Sequence, residues 1–214
     1  MKVERVHISL GLWLLWTLVN TAGFAFGGFA FHFPFGFSSG PPQSFAPENA
    51  VVGFAVGAVT GVVIGTLQWL VLRRVISGVG WWVVATLGGV AVVHAVGDAA
   101  TGFVAFWVLA LPSGVVIGIL QWLVLRRLGY TARFWVLASI IGWFVGLTLG
   151  MALAEFTGLM TLTGPAGYAT QHAVVGSVTG AVIGAITGRV LIWLVRQSRS
   201  ARKELEPTPQ SSTS

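Results

Sequence analysis

Apolar stretches long enough to be helices alternate along this chain with short breaks rich in glycine, proline and charge. After a basic start at Lys2 and Arg5, apolar runs cover residues 8–31, 49–72, 80–98, 102–125, 133–155 and 168–195. A helix rises about 1.5 Å per residue, so about 20 residues cross a hydrocarbon core of about 30 Å, and each run is predicted to be a transmembrane helix. Between 32 and 48, Pro34, Gly36, Gly40, Pro41, Pro42 and Pro47 deny a continuous helix and predict a loop. Residues 1–195 are therefore expected to form one six-helix transmembrane domain. Residues 196–214, basic and then PTPQSSTS, read as a disordered cytoplasmic tail. The first run exceeds the roughly 7–15 apolar residues of a signal peptide, and it is expected to remain as the first helix.

Within this series one stretch is written almost twice. GVVIGTLQWLVLRR at 61–74 and GVVIGILQWLVLRR at 114–127 differ only at Thr66 against Ile119, and a looser copy, GAVIGAITGRVLIW, starts at Gly180. The third and fifth runs also match at the same offset, GWWVVATLGG against RFWVLASIIG. The expected fold class is an all-α membrane protein whose six helices form three helical hairpin pseudo-repeats: first with second, third with fourth, fifth with sixth. Glycines recur every four residues in Gly53, Gly57, Gly61 and Gly65, in Gly114 and Gly118, in Gly142, Gly146 and Gly150, and in Gly176, Gly180, Gly184 and Gly188. Steps of four keep each row on one stripe, so these positions predict glycine-zipper packing, in which small residues let helices approach closely. Gln68 and Gln121 lie near the same stripes and are expected in the packed seams. In these glycine-spaced QWLVLRR repeats the chain resembles uncharacterised bacterial multi-pass membrane proteins, a resemblance that implies architecture and brings no activity.

Charge changes the picture by its placement. Only 8% of residues are charged, 55% are hydrophobic, and the mean hydropathy is +0.85. A pI near 11.2 would suggest nucleic acid in a soluble chain, but here the basic residues sit at helix ends, so nucleic acid is not an expected partner. Every Lys and Arg falls on the side that holds the N-terminus, which predicts the cytoplasmic membrane with both termini cytoplasmic. Arg73, Arg74, Arg126 and Arg127, next to Trp69 and Trp122, are candidate contacts for anionic lipid head groups. Membrane lipid is thus an expected partner, alongside a second copy of the chain or another membrane protein. The chain has no cysteine, so disulfides, thiolate metal sites and cysteine nucleophiles are excluded.

Candidate chemistry is sparse. The outer half holds His32, Glu48, His94, Asp98, Glu155 and His172. His94 and Asp98 are four apart on one helical face, and with His172 and Glu155 they are the candidate metal or proton-relay residues. The repeat offset places Leu147 opposite His94 and Met151 opposite Asp98, so neither belongs to the repeated pattern. Ser113-Gly114 with Gly118, and His172 followed by Gly176 and Gly180, are similar to the Ser/His dyad of rhomboid intramembrane proteases; Leu111 stands where that pattern has glycine. No motif names a cofactor. The expected function is non-enzymatic: a structural, assembly or self-associating bundle. A small transporter or channel is the alternative, and an intramembrane protease the remote one. A transporter should line a polar cavity with Gln68, Gln121, Asn20 or His94, whereas a packing protein should pair those groups in dry seams.

Overall fold

The computed structural model describes the backbone of residues 2–32, 48–99 and 103–204, and the side chains of residues 10–29, 50–97 and 111–198. The expected loop at 33–47, the side chains of His32, Glu48 and Asp98, and the tail beyond 204 lie outside the described residues. The described chain is all-helical: α1 (Lys2–His32), α2 (Glu48–Leu72), α3 (Trp81–Ala99), α4 (Phe103–Arg127), α5 (Trp135–Phe156) and α6 (Gly164–Glu204), with one 3₁₀ turn at Leu159–Thr161. Four described stretches are long and apolar enough to cross a membrane: Leu10–Phe29, Ala50–Leu72, Trp135–Phe156 and Gly164–Ser198. Trp81–Gly97 is apolar and shorter.

The helix ends follow local chemistry. Gly129, with φ 82°, closes α4: Tyr130 N–H donates to the Leu125 carbonyl and Gly129 N–H to the Arg126 carbonyl, each at 3.0 Å. This pair of bonds is the Schellman arrangement, which needs a left-handed residue where glycine has no Cβ to clash. Pro112 sits inside α4, where it removes one backbone hydrogen bond; apolar surroundings tolerate this when neighbouring helices support the bend. In α6, Pro165 follows Gly164 in the first turn, where a missing N–H has no helical partner to lose.

One expected boundary moves. α6 runs past 195 and continues through Arg196 to Glu204, so part of the expected disordered tail is helical. Its SARKE segment contains good helix formers and no glycine or proline, and nothing in it stops a helix already nucleated upstream.

Each helix packs against its chain neighbours, and α6 returns against α1, so the six helices close into a ring. Among the described residues no other pair of these six helices brings its backbones close together. The core lies at the arginine end, where Leu72, Leu125 and Leu191 are fully buried beside Trp16, Trp82 and Trp135. The α2–α3 connection folds back to add Ile76 and Val79, and the α4–α5 connection adds Ala132. That end of the ring is filled.

Candidate functional site

The centre of the ring is the most highly constructed part of the molecule. Trp16 of α1, Trp82 of α3 and Trp135 of α5 are each at most 1% exposed and meet edge to face across the middle. Their ring centroids are 6.2 Å (Trp16–Trp82), 6.3 Å (Trp16–Trp135) and 5.4 Å (Trp82–Trp135) apart. This is the range in which the positive edge of one ring meets the negative face of another. The described backbones of α1, α3 and α5 do not approach one another, so side chains, these indoles foremost, bridge the centre.

Each indole N–H is a buried donor, and each finds an acceptor on the helix next door. Trp82 Nε1 donates to Gln68 Oε1 at 2.8 Å, Trp135 Nε1 to Gln121 Oε1 at 3.1 Å, and Trp16 Nε1 to Thr187 Oγ1 at 2.9 Å. The two glutamine amides then reach a polar residue on the preceding helix. Gln68 Nε2 donates to Asn20 Oδ1 at 2.8 Å, while Gln121 Nε2 donates to Thr86 Oγ1 at 3.1 Å and to Gln68 Oε1 at 3.3 Å. Asn20 Nδ2 and Ser139 Oγ donate back to the carbonyls of Trp16 (2.8 Å) and Trp135 (3.0 Å). Gln68, Gln121 and Asn20, the residues a transporter would use to line a path, are thus bonded to one another and to tryptophan.

Glycine explains how the helices come close enough for short side chains to meet. A Cβ placed on Gly61 would lie 2.6 Å from Leu87 Cα of α3, and one on Gly114 would lie 2.5 Å from Ile140 Cα of α5. A Cβ on Gly180 or Gly176 would run into the carbonyl of Asn20 or Phe24 on α1. The glycine stripes of α2, α4 and α6 therefore face α3, α5 and α1 in turn. Gly57 and Gly65 lie on the same α2–α3 seam, Gly118 on α4–α5, and Gly184 and Gly188 on α6–α1, whereas Gly142, Gly146 and Gly150 of α5 face α6. On the alternate seams Gly23 packs on Ile64, Gly89 on Ile117 and Gly142 on Ile183.

Above the tryptophans, on the side away from the arginines, is a cavity of about 20 Å³. Gln68, Thr86, Gln121, Ser139 and Thr187 supply its polar lining, and Ile64, Ile117 and Ile183 part of its apolar one. Among the described residues no ionisable side chain lines it.

The other candidates are dispersed. His94, half-buried on α3, lies where a Cβ on Gly57 of α2 would meet its own Cβ. His172 is on α6, its Nδ1 donating to the Tyr168 carbonyl at 2.8 Å, and its backbone faces Gly28 of α1. Glu155 is exposed on α5. Among the described residues the backbone of α3 makes no close approach to that of α5 or α6. Among the described residues no group of three His, Cys, Asp or Glu could hold a metal. Ser113 is fully buried on α4, whose described backbone makes no close approach to α6, the helix that carries His172.

At the basic end, Arg73, Arg74, Arg126, Arg127, Arg133, Arg189 and Arg196 are exposed. Arg73 lies 4.9 Å over the Trp69 ring, Arg126 5.3 Å over Trp122, and Arg127 6.0 Å over Trp81 of the neighbouring helix. Such stacking holds a guanidinium beside the rim while leaving its edge free for an anion.

Sequence reasoning placed the two glutamines in the seams and passed over the tryptophans that face them. The missed signal is Trp-x-x-x-polar-x-x-Gly, written as Trp16/Asn20/Gly23, Trp82/Thr86/Gly89 and Trp135/Ser139/Gly142. Comparison with known protein families, with curated proteins and with solved structures finds no match for this chain.

Proposed function

We propose that the chain is a six-span integral protein of the cytoplasmic membrane, both termini cytoplasmic, with a structural role. It acts as a sealed helix ring that associates with itself or supports assembly of other membrane proteins. Three pseudo-repeats build it, joined by glycine-zipper seams. The packing favours a particular grouping, α2 with α3, α4 with α5, and α6 with α1, because those pairs carry the Gly61, Gly114 and Gly180 stripes. The observation that carries the structural role is the tryptophan triad, with every indole N–H bonded to a buried acceptor. A conduit needs a route through the ring, and this one is filled by interlocked aromatic rings and capped by the leucines and connections below.

A small transporter is the second reading, favoured by the polar lining of the central cavity. At about 20 Å³ the cavity holds about one water, which limits any cargo in this conformation to that size. Purified protein in liposomes separates the two. The structural role predicts that permeability to water, protons, alkali cations and small neutral solutes stays at the protein-free level. Flux that rises with protein content, and is abolished by Gln68→Leu in a folded variant, would establish the transporter instead.

A further inference from the structure

The three seams that hold the central amides are not alike, and the difference has a definite location. In the first, the amide of Gln68 donates to the polar residue of the preceding helix, Asn20; in the second, that of Gln121 donates to Thr86. The corresponding residues of the third are Thr187 and Ser139, and threonine has no amide to send. Thr187 Oγ1 accepts from Trp16 Nε1 and donates to the Ile183 carbonyl at 2.6 Å, the only donation a hydroxyl has. Ser139 Oγ, 3% exposed, donates to the Trp135 carbonyl and receives nothing from any described residue. Gln68 adds a second unused group, since one proton of its Nε2 goes to Asn20 and the other meets no acceptor among the described residues. Ser139, Thr187 and Gln68 all line the cavity.

We infer that this cavity is a binding site for one neutral, water-sized hydrogen-bonding molecule, in the first instance water, held where a third glutamine amide would otherwise reach. Size, polarity and charge each point the same way. About 20 Å³ exceeds the roughly 10–15 Å³ a single water needs and leaves no space for a larger solute. A water here can donate to Ser139 Oγ and accept the second amide proton of Gln68, which supplies the two or more partners a buried water requires. The described lining carries no charge to hold an ion, and indoles and isoleucines surround its polar groups. The inference stands on this geometry and is independent of whether the ring serves a structural role.

The test is water-to-indole magnetisation transfer by NMR, on full-length protein labelled with ¹⁵N-tryptophan in lipid nanodiscs. The Trp16 indole proton is identified by its loss in Trp16→Phe. The wild type should show a cross-peak from Trp16 Nε1–H to a water of bound rather than bulk sign. Thr187→Gln should extinguish it, because the added amide can reach Ser139 and fill the space. If Thr187→Gln does not fold, Ser139→Ala decides: it keeps the cavity, removes one partner and should reduce the cross-peak severalfold. Absence of the cross-peak in the wild type overturns the inference whichever variants fold. So does a cross-peak that persists unchanged in the deciding variant, and a signal of bulk-solvent sign would assign the cavity to an open water path.

Discussion

The α2–α3 and α4–α5 seams reach the same packing as the α6–α1 seam, but from different sequences. In the first two, a glycine-spaced helix ending in QWLVLRR meets a following helix that begins with tryptophan, and the glutamine accepts from the indole fourteen residues on. In the third, the glycine-spaced helix is the last of the chain and its tryptophan partner is on the first, with Thr187 accepting from Trp16. The leucines below, Leu72, Leu125 and Leu191, are fully buried in all three. What varies is the polar layer, where the third seam carries an amide on α1, Asn20, and a hydroxyl on α6. Backbone approach and aromatic closure are thus held constant while the hydrogen-bond layer is free to differ, because several donor and acceptor sets can satisfy one buried indole.

The strongest way to break this comparison is to fill the glycines. Gly61→Leu, Gly114→Leu and Gly180→Leu should each lose folded yield or fall well below the wild type in melting temperature in detergent. In all three the first added carbon already runs into the backbone of the facing helix. Overpacking typically costs about 1–3 kcal/mol, and more where the obstacle is backbone. Leu70→Ile, a volume-conserving change, should cost less than about 1.5 kcal/mol. Equal stability of Gly180→Leu and Leu70→Ile would mean that the α6–α1 seam is not built as the other two are.

Next in size is a graded loss across the polar layer. Gln68 is the hub: its removal strands the Trp82 indole, Asn20 Oδ1 and one bond from Gln121. Gln121 strands the Trp135 indole and removes one of the bonds of Thr86, while Thr187→Val strands only the Trp16 indole. A buried group left unpaired costs about 1–3 kcal/mol, so denaturation should rank Gln68→Leu above Gln121→Leu above Thr187→Val. Because the two glutamines share a bond, their double variant should depart from additivity by at least about 0.5 kcal/mol. Equal, additive effects would reduce the layer to three separate pairs.

Much of this was legible from the chain. Apolar run length located the helices to within a few residues, apart from the ends of α1 and α6, because lipid-crossing length and helix breakers act locally. The stripes and Gln68 could be read for the same reason: a period of four on a helix fixes a face. Which helix fills that face is a non-local fact. Gly180 and Asn20 are far apart in sequence, and the stripes of α2, α4 and α6 lie against the helix that follows in the ring. The sequence pattern does not separate Trp81, 59% exposed, from its neighbour Trp82, 0% exposed. A one-residue step turns a side chain by about 100° on a helix, from rim to centre.

Smaller effects should come from the rim, where the first two seams have adjacent arginine pairs and the third has basic residues spaced apart at Arg189, Arg196, Arg199 and Arg202. Adding anionic lipid to detergent-purified protein should raise the melting temperature, and Arg73→Gln/Arg74→Gln and Arg126→Gln/Arg127→Gln should each remove a similar part of the rise. A basic residue near an anionic surface is worth about 1 kcal/mol, so each pair should contribute at most about 2 kcal/mol. A rise that survives loss of both pairs would move lipid binding to the third seam or to the apolar flank.

The smallest effect concerns His94, which the α2–α3 seam has and the others lack: the offset puts Leu147 on α5 and Gly28 on α1. His94→Leu therefore makes the first seam resemble the second, and because an equivalent leucine already packs in α5, the variant should fold and melt close to the wild type. Zinc should leave the melting temperature of both unchanged. A ligand that binds only the folded state stabilises it in proportion to the logarithm of its concentration, so even a weak site would show as a shift that grows on titration. Among the described residues no group of three metal-ligating side chains is present to generate that shift. A zinc-dependent rise in the wild type that disappears in His94→Leu would instead assign the outer end of this seam a ligand role, and the difference between the first and second seams would then be functional.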